Sequence, residues 1–264
     1  MKVNQYLNEY YNKGGEDTRL ASRHGSVEFL TSIRYIERYL KTGDRIIEIG
    51  AGTGRYSHVF ARQGHSVDAV ELIEHNIEVF RQNTKPDEQI TITQGNALDL
   101  SSFTNDTYDI TLLLGPLYHL FTKKEKQTAL REAIRVTKRG GVVFVAYCIS
   151  DASILVSGFK RRIFSITEFI EKGFIDPQTF SASSEPALLF EIVRKEHIDE
   201  LISALPITRM HYVATDGYAF HMPNEIDEMD DTEFNLFMRY HFATCEREDM
   251  TGLTAHALDI LRKD

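Results

Sequence analysis

Ile46-Ile47-Glu48-Ile49-Gly50-Ala51-Gly52-Thr53-Gly54-Arg55-Tyr56-Ser57 decides how the rest of the chain is read. Ile46 to Ile49 make a short buried strand, three glycines at alternate positions make a tight turn, and a helix follows from about Tyr56 to Gln63. Glycines lack Cβ atoms, so a ligand can lie against the backbone N–H groups of such a turn. A second strand, Ser66 to Val70, ends at Glu71, which lies 21 residues beyond Gly50. A carboxylate at that place can accept hydrogen bonds from both hydroxyls of a ribose. Dinucleotide pyrophosphates go with the spacing G-x-G-x-x-G. Here the spacing is G-x-G-x-G.

This stretch resembles motif I of the class I S-adenosylmethionine-dependent methyltransferases, and Glu71 stands where their ribose-binding acid stands. The resemblance implies an α/β fold, a doubly wound, mostly parallel seven-stranded Rossmann-like sheet. It implies S-adenosyl-L-methionine as cofactor and S-adenosyl-L-homocysteine as product. It also implies cofactor contacts at Gly50, Ala51, Gly52 and Gly54 and at Glu71 with Leu72 after it. Glu48, inside the first strand, is an unusual place for a carboxylate and wants a partner. In the family an acid there helps hold the methionine end of the cofactor, often through water. The alternative is local pairing with Arg45 or Arg55.

Working outward, residues 1 to about 25 are polar and aromatic, with Tyr6, Tyr10, Tyr11, Arg19, Arg23 and His24. They read as a short helix and a loop through Gly14-Gly15, either a lid over the ligand or a surface cap on the sheet. On the resemblance Tyr11, Arg19 and His24 are candidate contacts, and His24 is, with His119, a candidate general base for a phenol or amine acceptor. Ser26 to Leu40 is a helix whose stripe is Val27, Leu30, Ile33, Ile36 and Leu40. A third helix runs from about Ile73 to Gln82, and the third strand is Ile90 to Thr93. The turn Gln94-Gly95-Asn96-Ala97-Leu98-Asp99 then falls at the carboxyl edge of the sheet, where open α/β sheets bind ligands. The family usually has Asp where this chain has Asn96, bonded to the adenine amine. An amide oxygen can still accept from that amine, and the N–H groups of Asn96 and Ala97 remain available for the ring nitrogens. Asp99 reads as a turn or cap residue.

Tyr108 to Leu114 is the most continuous apolar run, as a central parallel strand requires. It ends at Leu114-Gly115-Pro116-Leu117-Tyr118-His119. In this architecture the end of the fourth strand lies beside the sulfonium, so Leu114 and Gly115 are cofactor contacts and Tyr118 and His119 are the best-placed titratable groups. A histidine there takes a proton near neutral pH, or it caps the helix that follows. Lys123 to Thr137 is a helix with Ala129, Leu130, Ala133, Ile134 and Val136 inward. Lys138-Arg139-Gly140-Gly141 stops it, and Val142 to Tyr147 is the fifth strand. That junction resembles the "LkpGG" junction of the same family.

Asp151 to Glu200 exceeds a minimal core, with five phenylalanines from Phe159 to Phe180 around Lys160-Arg161-Arg162. It reads as a helical cap over an apolar substrate opening. A packing elaboration or a homodimer face is the alternative. His197 to Leu205 is a helix, Thr208 to Thr215 a strand, Asp230 to Glu248 a helix and Thr254 to Arg262 the last strand, antiparallel in the family. His241 and Cys245 share a helix face, but no further ligands follow at metal-binding spacing, so no metal is expected. The chain divides into an N-terminal helical lid (1–40), a cofactor-binding core (41–150), a cap (151–206) and C-terminal strands with a helix (207–264).

The whole composition excludes several classes. The 264 residues carry 30 basic and 39 acidic side chains, a net charge of −9, which argues against a nucleic-acid substrate. The Asn/Asp-Pro-Pro-Tyr/Phe motif of DNA amino-methylating enzymes is replaced by Gly115-Pro116-Leu117-Tyr118. The apolar runs are too short for a membrane span. No signal-peptide pattern opens the chain, and two cysteines cannot make a disulfide framework, so a cytoplasmic location is expected. The resemblance implies methyl transfer to an oxygen or nitrogen of a small molecule. The rivals are an NAD(P)-dependent oxidoreductase, whose Tyr-x-x-x-Lys is lacking downstream, and a non-catalytic cofactor-binding regulatory protein.

Overall fold

The computed structural model describes residues 2–12 and 22–264. The loop through Gly14-Gly15 lies outside them. The strands are β1 (Arg45–Ile49), β2 (Ser66–Glu71), β3 (Ile90–Gln94), β4 (Tyr108–Leu113), β5 (Thr137–Ile149), β6 (Ile192–Val193), β7 (Ile207–Ala214) and β8 (His256–Lys263). They form one sheet in the order β3-β2-β1-β4-β5-β8-β7, and the two-residue β6 pairs β5 off this path. Strands β1 to β6 pair in parallel, whereas β8 runs antiparallel between β5 and β7. The doubly wound reading holds, with one short strand more than the seven expected.

The helices are α1 (Lys2–Tyr11), α2 (Arg23–Glu37), α3 (Arg55–Arg62), α4 (Glu74–Asn83), α5 (Lys123–Val136), α6 (Ile166–Glu171), α7 (Lys195–Ile202), α8 (Pro223–Glu228) and α9 (Asp231–Thr244), with shorter turns between them. Adjacent strand residues point to opposite faces, so the apolar strands build two cores. Ile47, Ile49, Val143 and Val145 pack with Ala129, Leu130 and Ala133 of α5. Ile46, Leu112, Phe144 and Ile260 pack with Tyr35 and Ile36 of α2 and Phe60 of α3. A capping box starts α5, in which Thr122 accepts from the Glu125 N–H and Glu125 reaches back to the Thr122 N–H.

Three expectations are corrected. Leu30 is 38% exposed, because α2 buries Val27, Thr31, Ser32, Tyr35 and Ile36 instead. Lys138 to Gly141 does not separate helix from strand. The last turn of α5 closes at Thr137, whose N–H bonds the Ala133 carbonyl, and β5 already begins there. The glycine pair makes an irregularity within β5, with Gly140 at φ +75° and Gly141 so close to Asp109 that a Cβ would meet its carbonyl at 2.9 Å. Segment 151–206 is less helical than expected, consisting of a π-helix at Ile154–Lys160, α6, a 3-10 turn at Pro186–Leu188, β6 and α7.

An ion-pair network, buried at Asp259, joins the last strands. Asp259 of β8 is fully buried and receives both Nε (2.5 Å) and Nη2 (2.8 Å) of Arg209 on β7. Arg209 Nη1 also reaches Asp199 of α7 at 2.5 Å.

Candidate functional site

Parallel pairing brings the carboxyl ends of β1, β2, β3 and β4 to one edge. The glycine turn leaves β1 there, with the N–H groups of Gly50 and Ala51 both donating to the Val70 carbonyl (2.8 and 3.0 Å). Gly50, Gly52 and Gly54 have φ of +75°, +56° and +90°. Their surroundings differ. A Cβ at Gly50 would lie 2.6 Å from Pro116 Cγ, and one at Gly54 would lie 2.5 Å from the Phe80 ring, whereas one at Gly52 would meet nothing within 4 Å. The outer glycines let neighbouring elements close up, and the middle one borders open space.

Glu71 stands at the end of β2, buried against this turn. Its Oε2 accepts from the Gly52 N–H (2.8 Å), and its Oε1 accepts from the Ile73 N–H (2.9 Å) and Asn76 Nδ2 (3.3 Å). Burial raises its carboxyl above the usual carboxylate range. Leu72 follows, and its carbonyl accepts from Gln94 Nε2.

Glu48 is 2% exposed and does have a partner, although neither arginine supplies it. Arg45 bonds Asp68, and Glu48 Oε2 accepts the Ser57 N–H at 2.9 Å and a short bond from the Ser57 hydroxyl in the first turn of α3. Burial pushes its carboxyl up to about 8, and the nearby Glu71 charge adds to the rise. Two carboxylates thus flank the glycine turn, each held by a helix start.

At β3 the Asn96 Oδ1 accepts from the Leu98 N–H (2.9 Å), leaving one lone pair for a ligand. Ala97 is 8% exposed. Asp99 accepts from the Ser101 N–H at 3.0 Å, the turn role expected of it. Beyond β4, the Tyr118 hydroxyl donates to the Leu114 carbonyl (3.1 Å), and a Cβ at Gly115 would lie 3.4 Å from the Gly50 carbonyl.

His119 is the centre of an aromatic group. Its Nδ1 lies 2.8 Å from the Leu189 carbonyl, which can only accept, so the neutral ring carries its proton there. Nε2 then accepts from the Tyr11 hydroxyl of α1 at 2.9 Å. The His119 ring lies 5.8 Å from that of Tyr11, 4.9 Å from Tyr118 and 5.2 Å from Phe190. Burial lowers the imidazole to about 4, against which the Leu189 bond acts only weakly. The ring is therefore neutral at physiological pH and both its nitrogens are engaged.

The structure brings Tyr11, Tyr118 and His119 together, and it brings Glu48, Glu71 and the glycines together. His24 joins neither group through its hydrogen bonds. Its N–H and Nδ1 both bond Asp227 of α8 (2.9 and 2.7 Å), pinning α2 there. Arg19 lies outside the described residues. Sequence reasoning missed Leu189 and Phe190, which reach His119 from a segment 70 residues on. It also missed the buried Lys126–Glu191 pair (2.5 Å) that fixes that segment to α5. No periodicity marks a single carbonyl in a loop, so nothing in the sequence pointed to them.

Open space beside Gly52, a carboxylate one strand over and an aromatic group beyond β4 suit a nucleoside with a reacting group at its far end. Comparison with known proteins agrees. Residues 47–145 match the family described as a methyltransferase domain. The chain is 33% identical over 104 residues to a demethylmenaquinone methyltransferase of Clavibacter sepedonicus, a match covering 39% of this chain and 40% of that protein. The chain spans less than half the length of such curated relatives. In fold it is similar to the PH0226 protein of Pyrococcus horikoshii OT3, with a TM-score of 0.63 and 16% identity over 97% of this chain and 99% of that one. It is also similar to magnesium protoporphyrin IX methyltransferase of Synechocystis PCC 6803 with bound S-adenosylhomocysteine, with a TM-score of 0.56 and 12% identity over 91% and 83% of the two chains.

Proposed function

We infer that this chain, whose residues 47–145 match a methyltransferase domain, is an S-adenosylmethionine-dependent enzyme of the class I type that transfers a methyl group to an oxygen or nitrogen of a small-molecule acceptor. The observation that carries this reading is the open space beside Gly52 with the Glu71 carboxylate facing the same turn. The oxidoreductase and non-catalytic alternatives have no such support, since the family matched is a methyltransferase domain.

Bound S-adenosylmethionine supplies a methyl already activated on sulfur. The residues of the chain then have to align the acceptor and exclude water. Glu71 holds the ribose, Asn96 and Ala97 hold the adenine edge, and the turn at Gly50–Gly54 with Glu48 borders the methionine end. The Tyr11–His119 bond ties α1 down as a lid at the end of β4, and segment 151–206 closes the acceptor side. His119 acts here by position: its lone pair is taken by Tyr11 and its basicity is depressed.

Two measurements test this. Glu71→Ala should weaken adenosylhomocysteine binding in isothermal titration by about 1–3 kcal/mol, roughly tenfold to a hundredfold, the worth of hydrogen bonds to a charged group. An unchanged dissociation constant removes Glu71 from the site. Tyr11→Phe should cost about 1 kcal/mol of stability and lower turnover on a panel of phenols and amines. The wild-type rate should not step near pH ~6.5, where an ordinary histidine titrates. A step there that vanishes in His119→Ala would make His119 the base instead.

A further inference from the structure

Between Ala152 and Thr167 the chain has no carboxylate, and it carries Lys160, Arg161 and Arg162 in a row, in a protein of net charge −9. The first part of this stretch is wound as the π-helix Ile154–Lys160. One face of the turn is buried: Ile154 and Val156 are in the core, and Gly158 packs so closely on the Ile166 side chain that a Cβ there would overlap it. The opposite face is apolar as well and stands in solvent, with Leu155 47%, Phe159 55% and Ile163 68% exposed. Leu155 and Phe159 are one helical turn apart. The chain then doubles back at Arg162 (φ +53°), and the Ile163 N–H bonds the Ser157 carbonyl at 2.8 Å, which returns Ile163 to the same turn.

The cations stand beside this apolar face. Lys160 Nζ bonds the His221 carbonyl, and Arg161 Nη2 bonds the Phe220 carbonyl at 3.1 Å, so two of the three charges are fixed in place. Arg162 has no hydrogen bond or ion pair among the described residues, and its side chain is exposed. The nearest carboxylates along the chain are engaged elsewhere, Asp151 with Arg194 and Glu168 with Lys172.

We propose that this turn seats on the surface of an anionic lipid bilayer, with Leu155, Phe159 and Ile163 in the boundary between headgroups and acyl chains and Lys160, Arg161 and Arg162 against lipid phosphates. Charge complementarity selects this occupant. A chain of net charge −9 is repelled by an anionic surface in every orientation except one that presents a local cationic face, and screening confines that attraction to about 8–10 Å. A second copy placed on the same face by a twofold axis would set this run of three cations against its twin. The binding is peripheral, since no helix among the described residues is long and apolar enough to cross a membrane. It does not depend on the methyl-transfer reading.

The test is co-sedimentation of the whole chain with vesicles of phosphatidylcholine alone and of phosphatidylcholine mixed with phosphatidylglycerol, without cofactor. The protein should pellet with the mixed vesicles, and added salt should release it. Phe159→Ser with Ile163→Ser should cut the bound fraction, and Arg162→Glu, at an exposed residue without a partner, should weaken binding roughly tenfold. Circular dichroism melts of each variant identify any that fail to fold, and Arg162→Glu keeps the test open if the double variant does. Equal recovery with neutral and anionic vesicles, no recovery with either, or recovery unchanged in folded variants overturns the proposal. So does a dimer in analytical ultracentrifugation that Phe159→Ser dissociates while vesicles bind nothing.

Discussion

Gly50→Ala is expected to lower stability by about 2–5 kcal/mol and to abolish measurable cofactor binding. Two costs add. Gly50 sits at φ +75°, where a side chain costs about 1–2 kcal/mol. The new methyl would also lie 2.6 Å from Pro116 Cγ and 2.7 Å from Cδ, an overlap that costs about 1–3 kcal/mol in a packed interior. Pro116 opens the 3-10 turn that carries Tyr118 and His119, so the strain passes directly from the glycine turn to the aromatic group. Urea unfolding measures the first effect and calorimetric titration the second. Gly52→Ala is the control. Its φ is also positive, but a Cβ there meets nothing within 4 Å, so it should bear only the conformational cost while still crowding the ligand. Equal destabilisation by the two variants would show that contact with Pro116 is not what the first glycine avoids.

Arg209→Met should cost about 3–5 kcal/mol, the range for removing one partner of a buried ion pair. Asp259 is fully buried and takes two bonds from that guanidinium. Burial already raises the Asp259 carboxyl, and Arg209 is what opposes the rise. Without Arg209 the carboxyl goes higher still and keeps its proton in the folded state. A group whose folded pKa lies above its unfolded one loses stability as pH rises. The deficit of Arg209→Met should therefore shrink on acidification, which thermal melts at two pH values would show. Arg209→Met combined with Asp259→Leu should recover most of the loss, since an apolar pair of similar volume often replaces a buried ion pair without harm. If the double variant is no better than the single one, the network matters through Asp199 instead.

The elements that follow a local pattern were legible in the sequence. The glycine turn, Glu71 at the end of β2 and the inward stripe of α5 all stand where spacing put them, because each depends on neighbours within a turn or one strand. The partners of the functional side chains were not legible. Glu48 finds Ser57 across the glycine turn, 9 residues on, and a serine gives no sign of which carboxylate it will meet. His119 takes its bonds from residues 108 and 70 positions away, one of them a backbone carbonyl. Gly140-Gly141 read as a helix stop, since glycine after a helix usually is one. Here the pair admits a close approach to Asp109 inside a strand. Arg209 meets Asp259 across the β7–β8 pairing, beside a register shift between Arg209 and His211 that no alternation pattern announces.

The place of β8 has a consequence for synthesis. Its residues 256–263 lie between β5 and β7, so β7 emerges from the ribosome some forty positions before the strand it needs. Until then β7 pairs with nothing and β5 shows an open side along most of its length. A nascent chain halted in that interval exposes two unpaired strand edges, the kind that recruit other chains. The interval of greatest exposure runs from the synthesis of β7 to that of β8.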